Sequence, residues 1–411
     1  MTSRPGLVRL ALAVACALAA LVAAPAATAA DRAGTRAELA SAMRWAGSSS
    51  GAYAVDLTSG ATLYSSRAGR RRIPASVNKL FTTVTALDRL GPETRLPTEV
   101  LSELPVGEDG VLEGDLYLRG SGDPTFGTQR AVALARLVVE ETGLQEVTGR
   151  LVGDESAFDA RRGPPSSGYN TSGYVGPLSA LAFNRGLTGV IRPYFQASPG
   201  LFATQAFERA LKAEGVAFGG KPRMGAAPAA ATALAAAMSP TVAELVTRTN
   251  VPSDNYFAET LIKVLGARLG GAGTTRAGAR VVRDTMREMG LNPRVSDGSG
   301  LGRANRTSPR QVVALLRTMA RDPLIGPTFE ASLPVAGRTG TLTGRMRGTA
   351  AFGKCRAKTG SLNSVSALAG YCVARDGVTK VAFAILMNRV DVYGARRLQD
   401  RMAAALARYE P

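Results

Sequence analysis

Ser76 and Lys79 lie three residues apart at the start of a predicted helix and form the first pair whose side chains can do chemistry together. Residues at this spacing share one face of a helix, so Lys79 can take the proton of the Ser76 hydroxyl. Ser76 also lies at the N-terminal end of that helix, where unpaired N–H groups favour the negative charge of an oxyanion. A serine that only caps a helix before an exposed lysine would give the same letters, so the pair alone is not specific.

A second polar motif, Ser253-Asp254-Asn255, precedes another predicted helix. The Ser253 hydroxyl can pass a proton to a leaving group. The Asn255 carboxamide can hold a substrate amide through its donor and its acceptor together. An Asx-type turn that caps the following helix is the alternative interpretation, and the sequence leaves both open.

The third motif, Lys358-Thr359-Gly360-Ser361, stands at the start of a predicted strand. We expect Lys358 and Thr359 to bind a substrate carboxylate. Gly360 would permit the close approach of another backbone, as an edge strand that binds an extended peptide requires. The N–H of Ser361 is predicted to complete an oxyanion hole with the N–H of Ser76. An ordinary turn interrupted by glycine is the alternative.

The sequence contains no histidine, which limits the mechanisms available to it. Ser-His-Asp and Cys-His arrangements are excluded, as are histidine-ligated zinc sites. The base must therefore be a lysine or a carboxylate, and we expect neither a metal ion nor a cofactor. The pKa of Lys79 would have to fall by roughly three units from its usual value of about 10.4 for this residue to act as a base at neutral pH.

The first 29 residues have the layout of a secretory signal peptide. Arg4 and Arg9 precede an apolar run over residues 10–22, and the small residues 27–29 suit cleavage. We therefore expect export and a location outside the cytoplasm, in the cell wall or in the medium. A retained anchor or a buried helix is the alternative interpretation of this segment.

A formal net charge of +18 at pH 7, carried mostly by arginine, favours anionic partners. We expect a weak association with the anionic wall or with a membrane surface. An arginine-rich protein without any such partner would have the same composition. No basic run alternates with aromatic residues, and export argues against a nucleic-acid partner.

The two ends of the chain share one texture of strands and helices, whereas the middle differs from both. We predict an α/β fold in which one domain, residues 30–97 and 237–411, is split by a β-rich inserted domain, residues 98–236. The alanine-rich stretch 226–237 is interpreted as a linker or a loosely packed helix. The predicted strands are 52–57, 61–65, 356–361, 365–372 and 378–387, and the predicted helical regions are 77–90, 241–319 and about 390–408.

Cys355 and Cys372 are predicted to form a disulfide. They are the two cysteines that remain after removal of the signal from an exported chain. A hairpin turn at Asn363-Ser364 would bring them directly opposite each other in the paired strands. Directly opposite residues have Cβ atoms about 4.5–5.5 Å apart, close to the distance that a disulfide spans. Two buried free thiols are the alternative.

The ordered trio of S-x-x-K, S-D-N and K-T-G motifs is the signature shared by class A β-lactamases and penicillin-binding proteins. The long interval between Ser76 and Ser253 resembles the low-molecular-mass class C penicillin-binding proteins, the D-alanyl-D-alanine carboxypeptidase and endopeptidase family. The resemblance runs from about residue 52 to residue 387. Two departures are a shorter insert than in the larger members and Thr339, where an acidic residue is expected. Further segments that resemble the family are 120–125, 152–159, 296–301, 333–337 and 340–342.

This resemblance implies a β-lactamase/transpeptidase-like domain, with an antiparallel sheet flanked by helices. It also implies a serine-type D-Ala-D-Ala carboxypeptidase, with endopeptidase activity as a further possibility, that cleaves peptidoglycan stem peptides through a Ser76 acyl-enzyme. Penicillin and other β-lactam antibiotics would acylate the same serine as covalent inhibitors. A β-lactamase of related fold and a non-catalytic, basic cell-wall-binding protein are the alternative functions. The expected catalytic residues are Ser76, Lys79, Ser253, Asn255 and Lys358.

Overall fold

The computed structural model describes residues 30–189 and 194–411. The predicted signal peptide, residues 1–29, lies outside the described residues. The α-helices, in chain order, are α1 (Arg32–Trp45), α2 (Lys79–Leu90), α3 (Thr128–Thr142), α4 (Pro199–Ala213), α5 (Val242–Asn250), α6 (Asn255–Leu269), α7 (Thr275–Glu288), α8 (Pro309–Arg321), α9 (Gly326–Ala331) and α10 (Val392–Arg408). Short 3₁₀ turns lie at Ala75–Asn78, Pro165–Ser167, Asn184–Gly186 and Gly340–Leu342.

The strands, in chain order, are β1 (Gly51–Asp56), β2 (Thr62–Ser66), β3 (Pro97–Ser102), β4 (Val111–Leu112), β5 (Leu116–Gly120), β6 (Glu146–Val147), β7 (Leu151–Asp154), β8 (Ala217–Phe218), β9 (Arg223–Met224), β10 (Thr232–Met238), β11 (Cys355–Leu362), β12 (Val365–Val373) and β13 (Lys380–Asn388).

The first sheet is antiparallel throughout and combines strands from both ends of the chain, in the order β11-β12-β13-β1-β2. Its central strands β12 and β13 are buried on both faces, which explains their nearly continuous apolar sequence. Helices α1 and α10 pack on one face, and α2 and α8 pack on the other. The predicted antiparallel sheet flanked by helices is therefore confirmed.

A second sheet lies within residues 97–238 and has the order β10-β3-β5-β7-β9. Strands β10, β3 and β5 pair antiparallel, whereas β5, β7 and β9 pair parallel. A small parallel sheet of β4, β6 and β8 lies in the same part of the chain. Helices α3 and α4 pack around a separate core that includes Leu118, Leu134 and Phe207.

Two details of this middle region differ from the sequence predictions. The interpretation of residues 226–237 as a linker or a loose helix is wrong for the second half, because Thr232–Met238 forms β10 against β3. Alanine favours a helix on its own, but pairing with a neighbouring strand overrides that preference. The prediction of a β-rich middle region also did not include the helices α3 and α4.

The chain enters and leaves the middle region at neighbouring points. The backbone N–H of Ser239 donates to the carbonyl of Leu96 at 3.0 Å, and the N–H of Leu96 donates to Ser239 Oγ at 2.8 Å. The core beneath the first sheet also contains five side chains from the middle region, namely Phe158, Val175, Leu178, Ala180 and Ala182. None of the helices formed by residues 30–189 and 194–411 is long and apolar enough to cross a membrane.

The β11–β12 hairpin has the predicted register, with Leu362 opposite Val365 and Cys355 opposite Cys372. The two cysteines form the predicted disulfide, with their Cα atoms 4.0 Å apart. Both sulfur atoms also lie near the carbonyl oxygen of Ala403 in α10. The disulfide therefore ties together the open end of the hairpin whose first strand carries the third motif.

Candidate active site

Ser76 lies in the 3₁₀ turn Ala75–Asn78, which continues directly into α2. The preceding residue, Ala75, is fully buried and has a φ of 47°, a left-handed conformation that is uncommon for a residue with a side chain. The surrounding backbone holds it there. Gly300 passes so close that a Cβ on it would lie 2.0 Å from the carbonyl oxygen of Ala75. Packing against a distant loop therefore fixes the conformation of this turn.

The ammonium group of Lys79 is fully buried and has three acceptors. Its Nζ lies 3.0 Å from Ser76 Oγ, as the S-x-x-K spacing predicts. It donates to Asn255 Oδ1 at 2.7 Å and to the carbonyl oxygen of Ser299 at 2.8 Å. The first two motifs therefore meet at Lys79. The loop that contains Ser299, which belongs to none of the three motifs, meets them there.

Burial lowers the pKa of Lys79 from 10.5 to about 8, because the charged ammonium loses its hydration. The carboxylates of Glu259, Asp297 and Asp254 act in the opposite direction and limit this decrease. Near pH 8 a proton can therefore leave Lys79. The neutral amine is then within hydrogen-bond reach of the Ser76 hydroxyl, as a general base must be.

The second motif forms the turn before α6. Asp254 Oδ1 accepts a hydrogen bond from the N–H of Phe257 and caps the helix, so the Asx-turn interpretation is correct for Asp254. Asn255 is the first residue of α6, where its Oδ1 accepts from Lys79 and its Nδ2 donates to the carbonyl of Tyr174 at 3.0 Å. Ser253 has a φ of 63°, a left-handed turn conformation. Within this motif, Asp254 therefore caps α6 while Asn255 contacts Lys79.

Lys358 and Thr359 lie on β11, which is an edge strand of the first sheet. The Lys358 side chain is fully buried, and its Nζ donates to the carbonyl of Thr359 at 3.0 Å. Burial holds the pKa of Lys358 well below its usual range, and the nearby positive charge of Lys79 acts in the same direction. The Thr359 hydroxyl lies 2.8 Å from that of Thr341, in the 3₁₀ turn beside the strand. Two lysines therefore lie close together in this site.

Gly360 approaches a backbone closely, but that backbone is the turn that carries Ser76 and not the bound peptide for which the sequence predicted the glycine. A Cβ on Gly360 would lie 2.7 Å from the carbonyl oxygen of Pro74 and 3.0 Å from the backbone nitrogen of Ser76. Any side chain at this position would therefore collide with backbone atoms. The absence of a side chain brings the third motif against the first.

The backbone of Ser361 is directed to the outer edge of the first sheet. Ala357 donates its N–H to Pro334 on that outer side, and backbone direction alternates along a strand in an antiparallel pair. Thr359 and Ser361 therefore turn their backbone groups to the same edge. The Ser361 side chain is held by Arg396 of α10, with Nη2 and Oγ 3.1 Å apart. An extended peptide at this edge would pass the N–H of Ser361.

The loop of residues 297–302 contacts α2 and the turn before it through three consecutive backbone carbonyls. The carbonyl of Asp297 accepts from Asn78 Nδ2, and those of Gly298 and Ser299 accept from Thr82 Oγ1 and Lys79 Nζ. Inside the loop, the Asp297 carboxylate accepts hydrogen bonds from the backbone N–H groups of Gly300 and Gly302 and from Asn305 Nδ2. Segment 296–301 resembles the family in sequence, but its residues alone predict only a turn.

Glu259 is a further residue that the sequence analysis missed. It is fully buried on α6, and its Oε1 accepts from the backbone N–H of Ser299 at 2.8 Å. Burial raises the pKa of Glu259 to about 7, and the negative charge of Asp297 adds to this effect. The available signal was its position one helical turn after Asn255, on the same face of α6.

The site can transfer protons and bind anionic groups through the side chains and backbone already described. Within residues 30–189 and 194–411, no group of three or more Cys, Asp or Glu residues is arranged to hold a metal ion. The described groups suit acyl transfer by a hydroxyl, with a lysine base and backbone N–H donors for an oxyanion.

The chain matches the model of the D-Ala-D-Ala carboxypeptidase 3 (S13) family over residues 36–193 and 194–409. It is 32% identical to a D-alanyl-D-alanine carboxypeptidase from an Actinomadura species, across 88% of this chain and 82% of that protein. It is 29% identical to carboxypeptidase DacB of Mycolicibacterium smegmatis, across 85% of this chain and 78% of that protein.

Among solved structures, penicillin-binding protein 4 (dacB) of Haemophilus influenzae has the same fold. The TM-score is 0.75 at 21% sequence identity, and the match covers 89% of this chain and 97% of that chain. The antiparallel sheet with its helices and the middle region therefore belong to one known architecture.

Proposed function

We propose that this chain, which belongs to the D-Ala-D-Ala carboxypeptidase 3 (S13) family, removes the terminal D-alanine from peptidoglycan stem peptides through an acyl-enzyme on Ser76. The family is one of peptidases, so the reaction is hydrolysis of a peptide bond. The observation that carries the serine mechanism is the 3.0 Å contact between Lys79 Nζ and Ser76 Oγ. Without histidine in the sequence, this pair supplies the nucleophile and the base.

The substrate binds as an extended peptide along the outer edge of β11. Its terminal carboxylate meets the Lys358 side chain and the Thr359 hydroxyl, and its backbone passes the Ser361 N–H. The buried position of Lys358 supports this assignment, because its Nζ forms no ion pair within residues 30–189 and 194–411 and a substrate carboxylate would supply one. Binding therefore places the penultimate carbonyl beside Ser76.

In acylation, Ser76 Oγ bonds to the carbon of the penultimate carbonyl while its proton passes to the neutral Lys79 amine. The carbonyl oxygen becomes an oxyanion, which the N–H groups of Ser76 and Ser361 bind. The carbon–nitrogen bond then breaks, and Ser253 relays a proton from Lys79 to the departing D-alanine amine. Asn255 holds Lys79 through Oδ1 during both transfers. Water next hydrolyses the Ser76 ester and releases the shortened peptide.

We also propose that residues 98–236 act as an inserted domain and that residues 1–29 direct export. The adjacent entry and exit points at Leu96 and Ser239 support the first proposal. The proposal of export is supported by the basic start of the leader, its apolar run and its small residues before the expected cleavage point. Without Arg4 and Arg9 of the leader, the formal net charge falls from +18 to +16, and the exported protein would associate weakly with an anionic wall or membrane surface.

The test combines labelled penicillin with a peptide that ends in D-Ala-D-Ala. We expect a covalent adduct on Ser76, located by peptide mapping, and release of D-alanine from the peptide. Ser76→Ala should lose both, while its melting temperature stays near that of the wild type. An adduct on Ser253 would contradict the assignment of the nucleophile. Rapid turnover of penicillin without D-alanine release would favour a β-lactamase, and binding without any adduct or turnover would favour a wall-binding protein.

A further inference from the structure

Three polar residues follow one another along a single face of α6, and the second and third of them are fully buried. Asn255, Glu259 and Lys263 are spaced four residues apart, so they stack on the same side of the helix. Asn255 contacts Lys79, and Lys263 forms an ion pair with Asp159 at 2.6 Å. Glu259, between them, is fully buried within a largely apolar helix. A buried carboxylate is costly unless it is well paired, so its presence needs a physical reason.

Glu259 contacts the candidate active site through one residue. Its Oε1 accepts the backbone N–H of Ser299 at 2.8 Å, and the carbonyl of Ser299 accepts from Lys79 Nζ at 2.8 Å. Ser299 thus has the carboxylate on one side and the ammonium on the other. The second carboxylate oxygen, Oε2, is buried and has no hydrogen-bond partner among the described residues. Half of the carboxylate is therefore used to fix Ser299.

Among the residues that the structure describes, Glu259 forms no ion pair. Lys263 is already paired with Asp159 and also donates to the carbonyl of Arg161 at 2.7 Å. The other carboxylate facing Glu259 is Asp297, which is bound to backbone N–H groups of its own loop. The negative charge of Glu259 acts on both Lys79 and Lys263, and Lys263 already has Asp159 as its partner.

The charged groups that face Lys79 come from three elements. Asp254 and Glu259 lie at the start and in the second turn of α6, Asp297 lies in the loop before α8, and Lys358 lies on β11. Asp254 is held by Arg185, and Asp297 is held inside its loop. Glu259 and Asp297 both fix the Ser299 acceptor of Lys79: Glu259 binds the N–H of Ser299, and Asp297 binds the N–H of Gly300, which shares a peptide plane with the Ser299 carbonyl. Glu259 does so from α6, whereas Asp297 acts from within the loop.

We propose that Glu259 is a positioning residue for acyl transfer: through Ser299 it holds Lys79 against Ser76, and its carboxylate supplies negative charge that Lys79 faces. This inference rests on the proposed function, in which Lys79 receives the proton of Ser76. Such a role accounts for a buried carboxylate whose Oε2 has no hydrogen-bond partner among the described residues. Glu259 itself does not touch the substrate.

The first test is Glu259→Gln, which keeps the size of the side chain and the acceptor for the Ser299 N–H but removes the charge. Loss of a nearby negative charge lowers the pKa of Lys79, so the neutral amine forms at lower pH. We expect the acid limb of the penicillin acylation rate to move to lower pH by about one unit. A purely structural role would change the rate without moving the limb.

The second test is Glu259→Asp, which keeps the charge but shortens the side chain by one methylene and withdraws it from Ser299. We expect acylation at least about 10-fold slower, with the acid limb close to its wild-type pH. The matched control is Glu330→Gln, since Glu330 pairs with Lys380, the first residue of β13, outside the site. This change should alter neither the acylation rate nor the pH of the acid limb.

The outcomes separate this inference from the proposed function. Wild-type protein that is not acylated on Ser76 would refute the proposed function. Normal wild-type acylation with an unshifted acid limb in Glu259→Gln would refute the role of Glu259. If Glu259→Gln does not fold, Glu259→Asp decides: a wild-type rate overturns the inference, and a slow rate with an unmoved limb supports it.

Discussion

Gly360 and Ser76 lie so close that a Cβ on Gly360 would be 3.0 Å from the backbone nitrogen of Ser76. The same Cβ would lie 2.7 Å from the carbonyl oxygen of Pro74. Both neighbours are backbone atoms, which cannot rotate away as a flexible side chain can. The absence of a side chain at residue 360 therefore sets the distance between the Ser76 turn and β11. It also sets the separation of the two proposed oxyanion donors, the N–H groups of Ser76 and Ser361.

Gly360→Ala is expected to slow acylation by penicillin about 100-fold or more. The added methyl group must push β11 away from Ser76, and a shift of about 1 Å in a catalytic group can cost that much. The measurement is the acylation rate together with the melting temperature. Gly344→Ala is the matched control, since a Cβ there would meet no heavy atom within 4 Å. A folded Gly360→Ala variant with a near-normal rate would show that the separation is not critical.

Lys79→Arg should be nearly inactive in acylation although the positive charge is retained. Arginine cannot lose its proton in a protein, and general-base catalysis typically contributes about 10²- to 10⁴-fold. The larger guanidinium must also fit where three acceptors now surround the ammonium. We expect a loss within that range by stopped-flow acylation. Lys354→Arg, a change outside the site, should keep the wild-type rate. Rapid acylation by folded Lys79→Arg would exclude Lys79 as the base.

The acylation rate of the wild type is expected to rise with pH up to about 8. Burial lowers the pKa of Lys79 to about 8, so the base is protonated and inactive below that pH and neutral above it. The sign follows because acylation needs the deprotonated amine. Rates measured from pH 6 to pH 10 check this expectation. An acid limb near the usual lysine value of about 10.4 would mean that the site does not tune Lys79.

The hairpin and the site differ in how far the sequence could predict them. The β11–β12 register followed from a two-residue turn at Asn363-Ser364, because each step outward then pairs one residue with one partner. Contacts within one motif, such as that between Ser76 and Lys79, followed in the same way from helix geometry. Both predictions depend on local spacing alone.

The contacts that the sequence did not predict join distant segments. Glu259 and Ser299 are 40 residues apart and meet only because α6 packs against the loop of residues 297–302. No local periodicity carries that information. The same reason explains β10, where pairing with β3 overrides the helix preference of a run of alanines. Tertiary packing therefore determined what local patterns left open.

The last prediction concerns the disulfide between Cys355 and Cys372. It closes a loop with a sequence separation of 17. By the chain-entropy model, such a loop contributes on the order of 3 kcal/mol to the free energy of unfolding. We expect the double variant Cys355→Ala/Cys372→Ala to lose about that amount in denaturant titrations.

Reduction of the wild type isolates the cross-link from the packing of the sulfur atoms. A reductant should lower the free energy of unfolding of the wild type and leave that of the double variant unchanged. Acylation of Ser76 should slow less than about 10-fold, because two backbone hydrogen bonds also hold β11. The N–H of Ala336 donates to the carbonyl of Cys355, and the N–H of Ala357 donates to the carbonyl of Pro334. Two free thiols on the unreduced, denatured protein would contradict the bridge. A much larger loss of acylation would mean that the disulfide positions the strand that carries Lys358 and that these backbone hydrogen bonds contribute less.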